Sequence, residues 1–515
     1  MKTIYRILLG IILIISFAGC KKFFDLERPP QAPWNNVTEF ERAAIGPYSR
    51  LFVGASWSIS YIDYTVLTVS EADDVDWVND PEWGYHRNLG SPFWLTETMW
   101  LWNYQAIASC NDALEFVNKN NGDPFPQESE FDKKNNFNRI VGELYFLRGF
   151  SYYMLMHVFG HAYQPGGNNS TPDIPLITEF AKSVVDAKDS KLGSTQVIFD
   201  QMISDFTKAK ELLPERYIAN MHPSYQAGRA NKFAAAAMLA RTYFAMGNYA
   251  KAKTECDFII DQNGGDYDLS EDPIQAWNKS DLTRGKEVIM YIPFYDPQLG
   301  SVPNNLSVIN HTFRQGRMCT WTEPRMANST IKKLGFMDDP QLNTPIKEAA
   351  LRDKRFTQIM AVRYPASDTD PAHQHDTRLD IQNITTIWNY KYYRGSGLNN
   401  TNVPVIRLAE IYLTRATCRF KAGDTEGAAA DINVVRKRSW DVSVGGAYQP
   451  ITSAGITQDI IDNERIIEMF SEPDRMNYLR GLKVPVGPGD RTVPEEPYTS
   501  DKFIWVRPVS ESAYR

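Results

Sequence analysis

Cysteine is scarce in this sequence: five in 515 residues, at positions 20, 110, 256, 319 and 418, with no two in a Cys-x-x-Cys pair. Cysteines so scattered in a chain this large exclude a disulfide scaffold. Cys110, Cys256 and Cys418 fall in apolar helical frames, where a buried thiol acts as a small hydrophobe; Cys319 falls in a loop-like stretch. Histidine is sparse too, with seven residues and no His-Glu-x-x-His, so catalytic zinc has no ligand set and no metal is expected from histidine. Gly-x-Ser-x-Gly, P-loop and Gly-x-Gly-x-x-Gly patterns are all absent, which removes the nucleophile elbow and the two common nucleotide cradles. Positive charge is in deficit: 55 Lys and Arg stand against 62 Asp and Glu, a net charge of −7. With no basic run either, the chain has no field to hold a nucleic-acid backbone.

The apolar run Ile7–Phe17 is too short to cross a bilayer, which takes about twenty residues. It follows the cations Lys2 and Arg6 and precedes Ala18-Gly19-Cys20. A positive stretch, a short apolar stretch and small residues make an export signal over 1–19. Small residues before a cysteine resemble a bacterial lipoprotein signal, although Phe17 stands where such signals usually carry leucine. Cys20 is then the acylated first residue, and 20–34 a lipidated tether. Each buried methylene of an acyl chain contributes about 0.8 kcal/mol, so several chains hold the protein at a membrane.

What the chain has in quantity is helix. From Phe233 to Ile260 it reads FAAAAMLARTYFAMGNYAKAKTECDFII. Ala236, Ala240 and Tyr243 share one face, Gly247-Asn248 interrupts, and Ala252, Cys256 and Ile259 continue on a second face. The small residues let two antiparallel helices approach closely, as in a tetratricopeptide repeat. The same frame recurs in LAEIYLTRATCRFKAGDTEGAAADINVVRKR at Ala416, Gly423-Asp424, Ala428, Ile432 and Val435. Two further pairs are expected: 138–159 with 195–213, and 38–51 with 97–118. The fold class is therefore all-α, with about four such pairs. Irregular insertions separate them over 61–96, 263–327 and 338–402. The second mixes turn signals with short apolar runs such as VIMYIPF; the third holds the alternating stretch ITTIWNYKYY, read as a short strand pair, and minor β-hairpins are expected. Long insertions on a rigid scaffold are where binding surfaces sit.

Those insertions hold the candidate site. A pyranose stacks its apolar face on an aromatic ring, and its hydroxyls seek Asp, Asn, Arg or Gln. Trp77, Trp83, Tyr85 and Trp94, with Asp74, Asn79 and His86, form the first choice; Trp321 with Arg325, and Trp388, form the second. A glycosidase needs two carboxylates across a cleft. Glu71, Asp73, Asp74 and Asp76 are the residues to consider, and they read better as a solvated or capping acidic loop. The stretch Asp266, Asp268, Glu271 and Asp272 is acidic enough for calcium but lacks the glycine and closing glutamate of a known loop. No cofactor is called for.

The motifs, taken in order, resemble the SusD/RagB family. KKFFDLERPP follows Cys20; Trp100, Tyr104, Ile107 and Asn111 form one helical pattern; GELYFLRGFSYYMLMHVFG carries Glu143, Arg148 and Gly160. PVIRLAEIYLTRA and DINVVRKR match the late repeat pair. IDNERIIEMFSEPDRMNYL carries Glu464, Arg465, Glu468 and Arg475, with Pro473-Asp474 in place of the usual Gly-His or Gly-Gln. The resemblance covers nearly the whole chain past Cys20. It divides the chain into an N-terminal region, 35–262, and a C-terminal region, 263–515. It implies a right-handed scaffold of four tetratricopeptide-like pairs, an outer-membrane location facing the cell exterior, and no catalysis. It also implies an oligosaccharide ligand and a SusC/RagA-type TonB-dependent barrel as partner. A surface binder of peptides or other oligomers is the alternative, and a glycoside hydrolase a distant third.

Overall fold

The computed structural model describes residues 34–53, 60–78, 94–180, 191–226, 228–277, 284–293, 323–375, 383–391 and 402–508. The long helices are α1 Val37–Tyr48, α2 Ser60–Glu71, α3 Trp94–Lys119, α4 Asn138–Phe159, α5 Thr195–Leu212, α6 Lys232–Ala245, α7 Tyr249–Asp261, α8 Leu408–Lys421, α9 Thr425–Ser439, α10 Gln458–Met469 and α11 Arg475–Leu482. Side chains one residue ahead start many of them. Asn36, Asn231 and Asp424 accept from the backbone N–H three residues on, at 2.8, 2.9 and 2.8 Å, each stabilising its helix by about 1 kcal/mol.

The four expected pairs are present: α1 with α3, α4 with α5, α6 with α7, and α8 with α9. They also stack in series, α3 on α4, α5 on α6 and α7 on α8. Packing thus runs across the boundary at residue 262. The recurring frame explains the stacking. Ala236, Ala240, Ala252, Cys256 and Ile259 are buried, as are Ala416, Ala428, Ile432 and Val435. Gly247 and Gly423 close the two turns at φ +74° and +81°, a left-handed backbone that glycine adopts without strain. Cys110, Cys256 and Cys418 are buried free thiols; Cys20 and Cys319 lie outside the described residues.

One expectation needs correction. The first insertion was to be irregular from residue 61, yet it opens with α2, every residue of which is buried. A helix enclosed on all sides has no polar face, so periodicity does not reveal it.

The strands are short: β1 Val75–Val78, β2 Pro172–Pro175, β3 Leu192–Ser194, β4 Val288–Ile292, β5 Glu323–Met326, β6 Met360–Arg363, β7 Thr386–Asn389 and β8 Val403–Arg407. β1, β5, β7 and β6 form an antiparallel sheet in that order, while β2 pairs with β3 and β4 with β8. VIMYI and TIWN are strands, each buried along its whole length. Their partners come from distant parts of the chain rather than from an adjacent hairpin arm.

The chain around and after α11 fastens the N-terminal helices. Arg480 donates to the carbonyls of His157 and Gly160 at the end of α4, at 3.1 and 2.9 Å. Lys483 donates to Tyr163 and Ala245, at the end of α6, both at 2.6 Å. Arg491 donates to Ser70, Ala72 and Val75, at the end of α2, at 2.8, 2.9 and 3.0 Å. Cations at helix C-termini meet unsatisfied carbonyls and the negative end of the helix dipole.

Candidate ligand-binding site

The described strand ends that border three insertions lie at one end of the four-stranded sheet. Val78 lies opposite Glu323 and Trp77 opposite Pro324; Arg325 lies opposite Trp388. The pairings are antiparallel, so the end of β1, the start of β5 and the end of β7 fall at the same edge. Residues 79–93 follow the first point, 294–322 precede the second, and 392–401 follow Lys391, just beyond the third.

The sequence candidates distribute as follows. Asn79, Trp83, Tyr85, His86 and Trp321 lie outside the described residues. Trp77 stands in β1 and Trp94 opens α3, so the two bound the segment that holds the first four. Asp74, Arg325 and Trp388 are fully described, and all three are buried rather than open to a ligand. Trp388 is 1% exposed and donates from Nε1 to Thr386 Oγ1 at 2.8 Å. A ring with no free face cannot stack on a sugar; Trp388 is a core residue of the sheet. Arg325 is spent on Asp76 at 2.6 Å and Asn328 at 3.1 Å.

The acidic cluster was expected to be a solvated or capping loop, and it is not solvated. Glu71 and Asp74 are buried, and arginines enclose the group. Arg475 grips both oxygens of Asp73, at 2.7 and 3.0 Å, and reaches Asp462 at 2.5 Å. Arg325 holds Asp76, while Arg491 binds the carbonyls around the turn that links α2 to β1. Asp490 accepts the backbone N–H groups of Asn328 and Ser329 at 2.6 and 2.9 Å, bracing the short helix that follows β5. Burial pushes the Asp74 carboxyl up to about 7, with Asp73 and Asp474 adding to the shift and Arg475 opposing it. Asp73 and Asp76 are thus ion-paired and Asp74 is enclosed, so this cluster offers no pair of carboxylates facing across a cleft.

The third insertion has a root of the same kind. Lys391 is fully enclosed, 0% exposed, and pairs with Glu472. Arg407, at the end of β8, pairs with Glu287 at 2.7 Å and Glu468 at 2.8 Å. Arg438 reaches the same two glutamates at 2.8 and 3.0 Å. The Trp277 ring lies 5.3 Å from both the Lys391 ammonium and the Arg407 guanidinium, completing the desolvated site. Sequence reading missed Lys391, Glu472, Asp490 and Arg491, because nothing local marks a charge whose partner lies far along the chain.

The acidic stretch at 266–272 does not converge. Asp266 pairs with Arg216 at 3.0 Å and Asp272 with Lys354 at 2.8 Å. Among the described residues no group of three acidic, histidine or cysteine side chains is arranged to hold a metal, and no helix is long and apolar enough to cross a membrane.

Comparison with known proteins places these features in a family. Residues 87–244 match the family described as starch-binding associating with outer membrane, and residues 286–480 match the SusD family. SusD-like protein P2 of Formosa agariphila is 25% identical, over 92% of this chain and 90% of its own length. SusD-like protein P25 of the same organism is 23% identical, over 92% and 88%. Among solved structures, a SusD superfamily protein of Bacteroides thetaiotaomicron superposes with a TM-score of 0.71 at 20% identity, covering 93% of this chain and 98% of that one. A SusD-like carbohydrate-binding protein of Bacteroides fragilis gives 0.67 at 21% identity, covering 93% and 98%.

Proposed function

The chain belongs to the SusD/RagB family, and from that premise we propose that it is a non-catalytic glycan-binding lipoprotein of the outer-membrane surface. It captures oligosaccharide and passes it to a SusC/RagA-type TonB-dependent barrel. The observation that carries the binding reading is that the described roots of three insertions lie at one end of the four-stranded sheet, two of them held by the ion pairs Asp76–Arg325 and Lys391–Glu472. A ligand site needs side chains held in place before the ligand arrives, and rigid roots lower the ordering cost on binding. The aromatic residues Trp83, Tyr85 and Trp321 lie in two of those insertions, where ring faces suit sugar stacking.

Anchoring follows from Cys20. Residues 21–33 form a tether of about thirteen residues, which at roughly 3.3 Å each reaches about 40 Å at most. The folded part then stays close to the membrane, at high effective concentration toward a neighbouring barrel. The stacked helix pairs offer an extended face for that partner while the insertions stay free for glycan. The absence of two carboxylates facing across a cleft in the acidic cluster supports binding without turnover.

A broad glycan array, probed with protein that begins after Cys20, tests the reading. Selective binding to one glycan class, with no rise in reducing ends over a day of incubation, is the expected result. Retention of peptides and of no glycan would replace it with the peptide alternative. Sustained release of reducing ends, lost on Asp73→Asn, would restore the hydrolase. For the partner, cross-linking in native membranes and recovery of this chain is expected to bring down a large β-barrel; recovery alone would count against the pairing.

A further inference from the structure

We propose that Asp74 is a proton-operated latch that holds β1 against β5 and so governs how rigidly the insertion-bearing end of the sheet is presented. Asp74 joins α2 to β1, its side chain is 3% exposed, and Oδ1 has no hydrogen-bond partner among the described residues. Its backbone carbonyl accepts the Ala327 N–H at 2.9 Å, the bond that continues the β1–β5 pairing past Met326.

The charged groups around it decide the sign. Its own segment contributes Glu71, Asp73 and Asp76, and the start of α11 contributes Asp474 and Arg475. The stretch after α11 contributes Arg491, and β5 contributes Arg325, which is committed to Asp76. Arg475 is bound to Asp73 and Asp462, and Arg491 to three backbone carbonyls. Neither donates a hydrogen bond to Asp74. A neutral Asp74 fits this site, whereas a carboxylate there is enclosed and accepts a hydrogen bond from its own backbone N–H but from neither arginine.

Hydrating that charge requires the turn to move, which breaks the Ala327 bond and loosens β1. Opening therefore releases a proton wherever Asp74 is protonated when enclosed and ionised when exposed. An exposed aspartate titrates near 3.9 and the enclosed one at about 7. Opening is thus favoured as pH rises between those values and is constant above the upper one. Acid closes the latch; neutral and alkaline conditions loosen it. The effect on ligand affinity rests on the glycan reading, whereas the latch itself does not.

Amide hydrogen exchange on the protein without ligand tests it, with rates corrected for the intrinsic pH dependence of exchange. Protection at Ala327 and across Val75–Val78 is expected to fall at least tenfold from pH 5 to pH 7 and then level off. Asp74→Asn is expected to remove that slope while leaving α6 and α7 unchanged. A flat profile in the parent protein overturns the proposal even if the variant fails to fold, and so does an equal slope in both proteins. Pairing these data with glycan titrations at pH 5.5 and 7.5 separates the two ideas. A pH-linked slope with no glycan bound anywhere supports the latch and overturns the binding reading; glycan binding with a flat slope does the reverse.

Discussion

Lys391 and Arg407 meet on a single oxygen: Glu472 Oε1 accepts from the Lys391 ammonium at 2.7 Å and from the Arg407 guanidinium at 2.6 Å. One residue precedes the insertion at 392–401 and the other closes the strand after it, so one carboxylate ties the root at Lys391 to the far end of β8. Burial also lowers the affinity of Lys391 for its proton, a tendency that Glu472 opposes.

Removing that carboxylate leaves two enclosed cations short of one anion. Glu472→Gln is expected to lower unfolding free energy by about 3–5 kcal/mol, the usual penalty for breaking a buried pair. Lys391→Met is expected to lower it by less, because Glu472 keeps Arg407. Urea unfolding of the three proteins checks the order, and equal stability of the parent and Glu472→Gln would refute it.

Trp388 and the insertion aromatics are expected to respond in opposite ways. Trp388→Ala empties a core position and is expected to cost about 3–5 kcal/mol of stability. Trp83→Ala or Trp321→Ala is expected to leave the melting temperature in place and weaken glycan binding at least tenfold, the loss of one stacking platform. Calorimetric titration beside thermal melts separates the two classes. Unchanged affinity in both insertion variants would move the site elsewhere.

Acid sensitivity has a defined source in α4. His157 is buried, with Nδ1 2.7 Å from the Tyr153 carbonyl, and enclosure lowers its pKa to about 3. The unfolded chain takes up a proton there near 6.5 while the folded protein does not. Stability from this residue is therefore complete above about pH 6.5 and drains away as pH falls toward 3. His157→Gln is expected to flatten that part of the stability profile between pH 4 and 6. An unchanged slope would exclude His157 as its source.

The anchor is tested by labelling. Cys20→Ala is expected to abolish incorporation of a radiolabelled fatty acid and to release the protein from the outer membrane. Equal labelling of parent and variant would overturn the lipoprotein assignment.

The scaffold was legible in the sequence because each helix pair writes its own period. Ala236, Ala240, Ala252 and Cys256 mark two contact faces, and the frame around Ala416 and Ala428 repeats them. α2 was hidden, since a helix buried on every side has no polar stripe to set the period. Strand partners were hidden as well: four residues such as TIWN announce a strand, but nothing local says that Trp388 pairs with both Arg325 and Ala361. The same limit applies to charge. Asp73 reads as a surface acid until Arg475, 402 residues later, is found on it. In Pro473-Asp474, the departure from the family pattern, Asp474 binds Arg465 through two bonds at 2.8 and 2.6 Å.

The helix ends closed by Arg480, Lys483 and Arg491 have a consequence for the order in which the chain matures. α2, α4 and α6 leave the exit tunnel of the ribosome, and pass any export channel, long before the cations that complete them. Until those residues arrive, the carbonyl ends of three central helices lack these side-chain donors. A nascent chain is thereby expected to stay short of its final compact state until Arg480, Lys483 and Arg491 have been made. Chains halted before residue 475 are expected to be cut rapidly within α2, α4 and α6 by an added protease, whereas chains extended past residue 508 resist it. Limited proteolysis of arrested chains reads this directly, and equal resistance at both lengths would show that the helices close without the late cations.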